Sequence, residues 1–221
     1  MIVQLRNQGL FVADPAAIAN ARAEFDARHC IRLPNLLEPA LARSVLDALD
    51  RATFVDYSHE GIGTELCARP GLATGVLELL ANDPQLFAAV RALTGCGPIG
   101  CYHGRVYRMV PGSGHYDSWH SDEGFDRLIT MSINLSPEPY EGGLLQMREK
   151  SSPHLLHEVA NLGVGDAILF RIAPTLTHRV TTVEGRLPKT AYAGWFRSKP
   201  DYRDLVRARN ERINSAGPRT R

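Results

Sequence analysis

The sequence contains no uninterrupted apolar run of the ~20 residues that a membrane-spanning helix requires. It also lacks an N-terminal basic segment followed by an apolar run and a small-residue cleavage site, so we expect a cytoplasmic location. Internal repeats and low-complexity segments are absent as well. What remains is an ordinary globular composition, and 221 residues are enough for one compact domain with a substantial core.

Closely spaced cysteines are missing too. The chain has four scattered cysteines, Cys30, Cys67, Cys96 and Cys101. Because none forms a CxxC pair, zinc-ribbon and thioredoxin-like motifs are excluded, and we expect reduced, mostly buried thiols. The formal net charge is only +1, so an overall attraction to nucleic acid or anionic lipid is not indicated. The exception is the arginine-rich run 203–221, which we interpret as a solvated helix and tail.

Helical periodicity dominates the first part of the chain, to about residue 96. The predicted helices cover 15–29, 39–49, 72–80 and 84–94, and residues 30–34 are predicted to be a short extended piece. Asp14-Pro15 and Asp83-Pro84 are typical helix starts, and Gly95 is a typical terminator. The segment 57–70 has no clear period, so we predict a loop that borders a site.

From Gly100 onward, short runs of period two alternate with turn residues, which indicates strands. The clearest strand is 128–135, where Thr130, Ser132 and Asn134 form a polar face that predicts solvent or a wet cavity. Further strands are expected at 105–110, 144–148, 167–171, 178–183 and 190–196. A helical layer (about 1–96), a β core (about 100–197) and a tail (198–221) predict one α+β, mainly β domain with helices outside a barrel or jelly roll.

Metal-binding residue types are concentrated in the segment 114–122, Gly-His-Tyr-Asp-Ser-Trp-His-Ser-Asp. A histidine and a carboxylate two residues apart on an extended chain project to the same side, so His120 and Asp122 can share one metal ion. His178, at the start of a predicted strand, is the third candidate ligand. Two histidines and one carboxylate leave three positions of an octahedral iron open for dioxygen and a bidentate cosubstrate.

A cationic residue opens the last predicted strand. Lys189, Ala191, Ala193 and Trp195 fall on one face by alternation, so a long cationic side chain lies beside two small ones. This arrangement has the shape of a slot for a small dicarboxylate. Taken alone, Lys189 is more typical of a solvated turn and Trp195 of a core, so the interpretation depends on the upstream ligands.

The segment from about Arg105 to Phe196 resembles the 2-oxoglutarate- and iron(II)-dependent oxygenase superfamily, most closely its prolyl-hydroxylase-like branch. The resemblance depends on five motifs in a fixed order: Pro111-Gly112, His120-Ser-Asp122, Glu141-Gly-Gly-Leu-Leu145, Gly165-Asp-Ala-Ile-Leu-Phe170 and His178-Arg-Val. The distance from the Pro-Gly turn and a Trp-His-x-Asp pattern favour the pair at 120 and 122. A second pair, His115 and Asp117, lies five residues earlier and is the less favoured alternative.

The resemblance implies a double-stranded β-helix of the jelly-roll (cupin-like) type, with helices against its major sheet. It implies Fe(II), 2-oxoglutarate as cosubstrate and O2, with His120, Asp122 and His178 as metal ligands and catalytic residues. Oxidative decarboxylation of the cosubstrate to succinate and carbon dioxide would accompany oxidation of the substrate.

The resemblance also assigns residues to the cosubstrate. Lys189 takes the place of the basic residue that holds the C5 carboxylate of 2-oxoglutarate, and Arg186 in the preceding turn is the competing candidate. Trp195 lies on the same strand face as Lys189. Asn134 stands where relatives often carry a cosubstrate-binding tyrosine, and this departure leaves the cosubstrate contacts open.

The expected reaction is hydroxylation of an unactivated C–H bond in a small molecule, an amino acid or a peptidyl residue. Related halogenases carry Gly or Ala at the carboxylate position, so Asp122 favours hydroxylation over halogenation, with desaturation or cyclisation as alternatives. A different class of function is a non-enzymatic cupin-like barrel that binds a metal or a small molecule. A zinc hydrolase is disfavoured because no general base stands beside the ligands. We expect no nucleic-acid or membrane partner, and the helices leave a homodimer open.

Overall fold

A computed structural model of the chain describes residues 1–124, 126–160 and 162–199, and this part contains four helices. They are α1 (Pro15–Arg28), α2 (Pro39–Leu49), α3 (Leu72–Ala81) and α4 (Pro84–Thr94). Asp14 and Asp83 cap α1 and α4 with their side chains, and prolines occupy the first positions of both helices. His29 and Gly95 end them in the left-handed conformation. The four predicted helices are therefore confirmed.

The strands continue the numbering in chain order. They are β1 (Val3–Arg6), β2 (Gly9–Val12), β3 (Cys30–Leu33), β4 (Phe54–His59), β5 (Gly63–Ala68), β6 (Cys101–Met109), β7 (Tyr116–Asp117), β8 (Arg127–Asn134), β9 (Glu141–Gly142), β10 (Leu145–Glu149), β11 (Leu155–Val159), β12 (Ala167–Arg171), β13 (Leu176–Val180), β14 (Val183–Glu184) and β15 (Lys189–Arg197). A major antiparallel sheet has the order β3-β12-β8-β15-β6-β5-β4, with β7 beside β5. A minor sheet has the order β11-β10-β13. This curled arrangement confirms the predicted mainly β jelly roll.

The two faces of the major sheet have opposite surroundings. Ile129, Met131 and Ile133 of β8 lie in a large apolar core together with side chains from all four helices, whereas Thr130 and Ser132 line a cavity. Burying each large apolar side chain contributes ~1.5–3 kcal/mol, so this core fixes which face of the sheet meets the helices. The opposite face of the sheet therefore lines the cavity.

The register of β15 with its neighbours arranges the cavity face in rows. Lys189 pairs with Met109; Ala191 pairs with Tyr107 and Asn134; Ala193 pairs with Arg105 and Ser132; Trp195 pairs with His103 and Thr130. Side chains of paired residues project to the same side of a sheet. The predicted face of Lys189, Ala191, Ala193 and Trp195 is indeed the face that lines the cavity.

The segment 57–70 departs from its prediction as a loop. It lies mostly in the hairpin of β4 and β5, which extends the major sheet around a turn where Gly61 has φ +71°. Ala68 at the end of β5 packs into the core with the helices, and the buried residues on the other face of the strand are Gly63, Glu65 and Cys67. Because two of these three are small or charged, the strand has no apolar alternation, and the loop prediction was wrong for that reason.

Other differences concern strand limits. The predicted strand 178–183 is shifted: β13 begins at Leu176, whose side chain packs into the core between the sheets, so His178 lies in the middle of the strand. The N-terminal layer also contains the hairpin of β1 and β2, which was not predicted, whereas the extended piece expected at 30–34 is the edge strand β3. The predicted C-terminal helix and tail at 203–221 lie outside the described residues. Within the described part, no helix is long and apolar enough to cross a membrane.

Candidate metal centre and cosubstrate cavity

The two segments that carry the predicted histidine ligands are joined by backbone hydrogen bonds. The amide of His120 donates to the carbonyl of His178, and the amide of His178 donates to the carbonyl of His120, both at 3.0 Å. The imidazole rings lie 4.3 Å apart between centroids. This reciprocal pair holds the loop after β7 against the middle of β13.

Asp122 completes the group. Its Oδ1 lies 3.7 Å from Nε2 of His120, and its Oδ2 lies 3.4 Å from Nε2 of His178. One ligand atom from each of the three residues lies within 4.8 Å of the others. Two imidazoles and one carboxylate around one point are the donor set that non-haem Fe(II) oxygenases present on one face of the metal, so the residues fit the predicted ion. We call this group the metal end of the cavity.

Neighbouring groups orient these side chains. Nδ1 of His120 lies 2.8 Å from the carbonyl of Ser118, and Nδ1 carries the proton in this contact, which leaves Nε2 free to bind a metal. The hydroxyl of Thr130 on β8 donates to Oδ2 of Asp122 at 3.0 Å. Arg127 lies against the other side of Asp122, with Nη1 3.8 Å from Oδ1, and stacks 3.7 Å above the ring of Trp195. These contacts with the protein orient the side chains of His120 and Asp122.

The protonation states also suit a metal ligand set. Burial lowers the pKa of His178 to about 4, so this imidazole is neutral at neutral pH. Burial alone would raise the pKa of Asp122, but its neighbours, including His178, Trp195 and Thr130, hold that pKa below its ordinary value. A neutral histidine and an ionised aspartate are the forms that bind a metal.

At the opposite end of the same cavity lies Lys189, which is 8% exposed. Its Nζ donates to the carbonyl of Gly143 at 2.6 Å and lies 5.7 Å from the centre of the Tyr140 ring. Burial lowers the pKa of Lys189 to about 8, while the charge of Asp117 opposes that shift. We call Lys189 with the adjoining Ala191 and Ala193 the lysine end.

Two other residues were candidates for binding the cosubstrate, Arg186 and Asn134. Arg186 is exposed in the turn before β15, beside a separate shallow pocket, and is not among the described residues that line the cavity. Asn134 lines the cavity, but its amide donates to the carbonyl of Leu162 at 2.6 Å and accepts from the amide of Ser136. Its role in cosubstrate binding stays a prediction.

The alternative pair is split by the fold. Nδ1 of His115 accepts a hydrogen bond from the amide of Val110, so this residue supports the Pro-Gly turn and stands outside the ligand group. Asp117 lines the cavity instead, with Oδ1 3.3 Å from Nδ1 of His120 and Oδ2 accepting from the amide of Val180. Burial raises the pKa of Asp117 to about 6.

Sequence reasoning missed three charged residues that line the cavity, Glu65, Arg105 and Arg127. Arg105 could have been predicted, because alternation on the predicted strand 105–110 places this arginine on the same face as Tyr107. Glu65 lies in the segment predicted as a loop and gave no such signal. The cavity has a volume of about 200 Å³.

Comparison with known proteins adds independent findings. A sequence profile described as the 2OG-Fe(II) oxygenase superfamily matches residues 104–197. No curated protein sequence matches the chain. Among solved structures, an oxidoreductase of the 2OG-Fe(II) oxygenase family from Burkholderia pseudomallei is similar at 17% identity and a TM-score of 0.64, over 86% of this chain and 95% of that one.

Two further structures share the fold. A prolyl-4-hydroxylase from Pseudomonas putida is similar at 18% identity and a TM-score of 0.59, over 82% of this chain and 99% of that one. The epimerase SnoN, solved with Fe3+, alpha ketoglutarate and nogalamycin RO, is similar at 14% identity and a TM-score of 0.57, over 87% and 90%. The predicted resemblance, fold class and cofactor class are confirmed.

Proposed function

We propose, from the premise that this chain is an enzyme of the 2OG-Fe(II) oxygenase family, that it hydroxylates an unactivated C–H bond of a small molecule, an amino acid or a peptidyl residue. One observation carries the proposal: His120, Asp122 and His178 meet at one end of a cavity whose other end holds a buried lysine. An intact carboxylate ligand at Asp122 favours hydroxylation over halogenation. A cytoplasmic location and a small-molecule or peptide partner belong to the same proposal.

In this proposal the three ligands bind Fe(II), and the loaded ion with 2-oxoglutarate and O2 supplies the oxidative chemistry. His120 and His178 each offer Nε2, because Nδ1 of His120 is held at the carbonyl of Ser118 and His178 is neutral. The hydroxyl of Thr130 keeps the carboxylate of Asp122 turned toward the two imidazoles.

Lys189 binds the distal carboxylate of 2-oxoglutarate. Its ammonium group can keep the bond to Gly143 and still donate its remaining protons to a carboxylate in the cavity. Ala191 and Ala193 lie between Lys189 and Trp195 on the same face, so β15 itself places no bulky side chain between the two ends. The cosubstrate is thereby oriented with one end at the lysine and the other at the metal.

The test is calorimetric titration of 2-oxoglutarate into the protein loaded with Mn(II) in the absence of oxygen. We expect one cosubstrate per chain and binding that depends on the metal, because chelation and the lysine contact act together. The metal-free protein is the control. Equal binding with and without Mn(II), or no binding in either case, would contradict the proposal and favour the metal- or ligand-binding barrel.

A further inference from the structure

A buried charge pair lies in the cavity wall, apart from the three proposed ligands and from Lys189. Arg105 on β6 and Glu65 on β5 both line the cavity, and the Nε of Arg105 donates to Oε1 of Glu65 at 2.5 Å. His59 and Cys67 also contact Oε1, at 3.2 and 3.5 Å. All the hydrogen bonds of this cluster therefore fall on one oxygen of the carboxylate.

The other polar atoms of the pair remain available. Among the described residues, Oε2 of Glu65 and the two Nη groups of Arg105 have no hydrogen-bond partner, yet they are not sealed from solvent. The two side chains are only 10% and 23% exposed, so their access to solvent is limited. A charged group in a low-dielectric wall binds an opposite charge more strongly than it would in water. The wall thus presents donors and an acceptor side by side.

Both members of the pair are charged at neutral pH. Burial alone would raise the pKa of Glu65, but Arg105 and His59 hold that pKa at about 2. Burial alone would lower the pKa of Arg105, and Glu65 raises it above its ordinary value. The wall therefore offers one positive and one negative group to a bound molecule.

The pair lies within reach of the metal end. Arg105 pairs with Ala193 on β15, while Thr130, which contacts Asp122, belongs to β8 on the other side of β15. Adjacent strands are ~4.8 Å apart and residues ~3.4 Å apart along a strand, so two strand spacings and the two-residue offset from Ala193 to Trp195 place the Cα atoms of Arg105 and Thr130 roughly 12 Å apart. Because both side chains project into the cavity, the gap between their polar ends is shorter than this backbone distance and suits a small molecule.

We propose, resting on the function proposed above, that the substrate is a free α-amino acid held by this pair. Its carboxylate binds the Nη groups of Arg105, and its ammonium group binds Oε2 of Glu65. A guanidinium matches a carboxylate with two parallel hydrogen bonds, which gives direction as well as strength. The side chain of the amino acid is then left to extend toward the metal end. A residue inside a peptide has neither an α-carboxylate nor an α-ammonium group, so it cannot bind Arg105 and Glu65 in this way.

The experiment measures succinate formation from 2-oxoglutarate by the Fe(II)-loaded protein in the presence of added compounds. The compounds are the proteinogenic L-amino acids, their primary amides and their N-acetyl derivatives. We expect at least one free amino acid to stimulate turnover. Its amide and its N-acetyl derivative should each lose about 10- to 100-fold in kcat/KM, the range expected when a hydrogen bond to a charged group is lost.

Variants test whether this selectivity for a free amino acid arises at Arg105 and Glu65. R105Q should raise the KM for the free amino acid by about 10- to 100-fold and leave the Mn(II)-dependent affinity for 2-oxoglutarate unchanged. Because R105Q leaves the charge of Glu65 buried without its partner, the double variant E65Q/R105Q provides a neutral replacement for the pair. R108Q is the matched control, since Arg108 lies on the other face of β6, where its guanidinium stacks on Phe54.

The outcomes separate this inference from the proposed function. If wild-type protein binds 2-oxoglutarate with Mn(II) but free acids, amides and N-acetyl derivatives stimulate equally, or none stimulates, the amino-acid assignment is overturned and the oxygenase assignment stands. An effect of E65Q/R105Q no larger than that of R108Q also overturns the assignment. Absence of metal-dependent cosubstrate binding in the wild type removes both.

Discussion

The two ends of the cavity are built in different ways. At the metal end, three side chains come from a loop and from a strand of the minor sheet, and they meet because backbone bonds join His120 to His178. At the lysine end, Lys189, Ala191 and Ala193 come from one strand, and their common face follows from simple alternation. The first arrangement depends on the tertiary register, whereas the second depends on local sequence.

The two ends also differ in how they carry charge. The ligands of the metal end are already in the protonation states that a metal needs, since His178 is neutral and the pKa of Asp122 is lowered. At the lysine end, a buried ammonium group makes one hydrogen bond within the described part of the chain, to Gly143, and burial lowers its pKa to about 8. The metal end is therefore prepared before binding, while the charge of the lysine end depends on pH and on its ligand.

Removing a ligand from the metal end should have the greatest effect on activity. Asp122→Ala should abolish iron-dependent turnover of 2-oxoglutarate, with a loss of at least ~100-fold, because even the loss of a partner that orients a metal ligand costs 10–100-fold. The measurement is succinate formation with added Fe(II). Glu123→Gln is the control, since Glu123 is the next residue and pairs with Lys150 at the surface. Turnover like that of the wild type in Asp122→Ala would remove this ligand assignment.

The lysine end is tested by comparing two neighbouring cations. Lys189→Ala should raise the 2-oxoglutarate concentration needed for half-maximal turnover by about 10- to 100-fold, because a charge-assisted hydrogen bond is lost. Arg186→Ala should change it by less than about twofold, since Arg186 is exposed and lies outside the cavity. Titration of the cosubstrate against both variants gives the ranking. The reverse ranking would assign the C5 carboxylate to Arg186.

The smallest expected effect is the pH dependence of the lysine end. The charged form of Lys189 binds the cosubstrate, and a lowered pKa of about 8 means that this form is lost as pH rises through that value. The dissociation constant of 2-oxoglutarate should then increase about tenfold between pH 7 and pH 9, as expected for titration of one group near pH 8. Calorimetric titration with Mn(II) measures it.

Lys189→Arg serves as the control for this pH series, because a guanidinium keeps its charge throughout the range. We expect its dissociation constant to stay flat where that of the wild type rises. Parallel curves for the two proteins would show that the pH dependence arises at the metal end.

The helices and the lysine end were predictable for the same physical reason, which is that both depend on short-range pattern. The caps at Asp14 and Asp83 are local signals, and the cavity face of β15 follows from alternation. The ligand set was harder, because no local pattern brings His178 to His120. It was predicted by chemical type and by the resemblance, and the reciprocal backbone bonds that bring the residues together could not be predicted from sequence.

The hairpin at 54–68 shows where sequence reasoning fails. Its cavity face carries Glu65 and Cys67, so the strand lacks the apolar alternation that marks a half-buried strand. A charged residue is stable there only because Arg105, about forty positions away, supplies the opposite charge. A buried charge pair in a strand breaks the apolar pattern from which strands are predicted, and that is why the wall was missed while the helices were found.

The paired backbone bonds between His120 and His178 have a consequence for how the protein acquires its metal. Since main-chain contacts bring the imidazoles together, apoprotein and loaded protein share one scaffold, and a change of ion requires no refolding. The same donor set accepts other divalent ions, so Zn²⁺ or Ni²⁺ would compete for it according to cellular supply and the Irving–Williams order. Occupancy by iron would then depend on the cell's metal pool as well as on the ligands that the polypeptide provides.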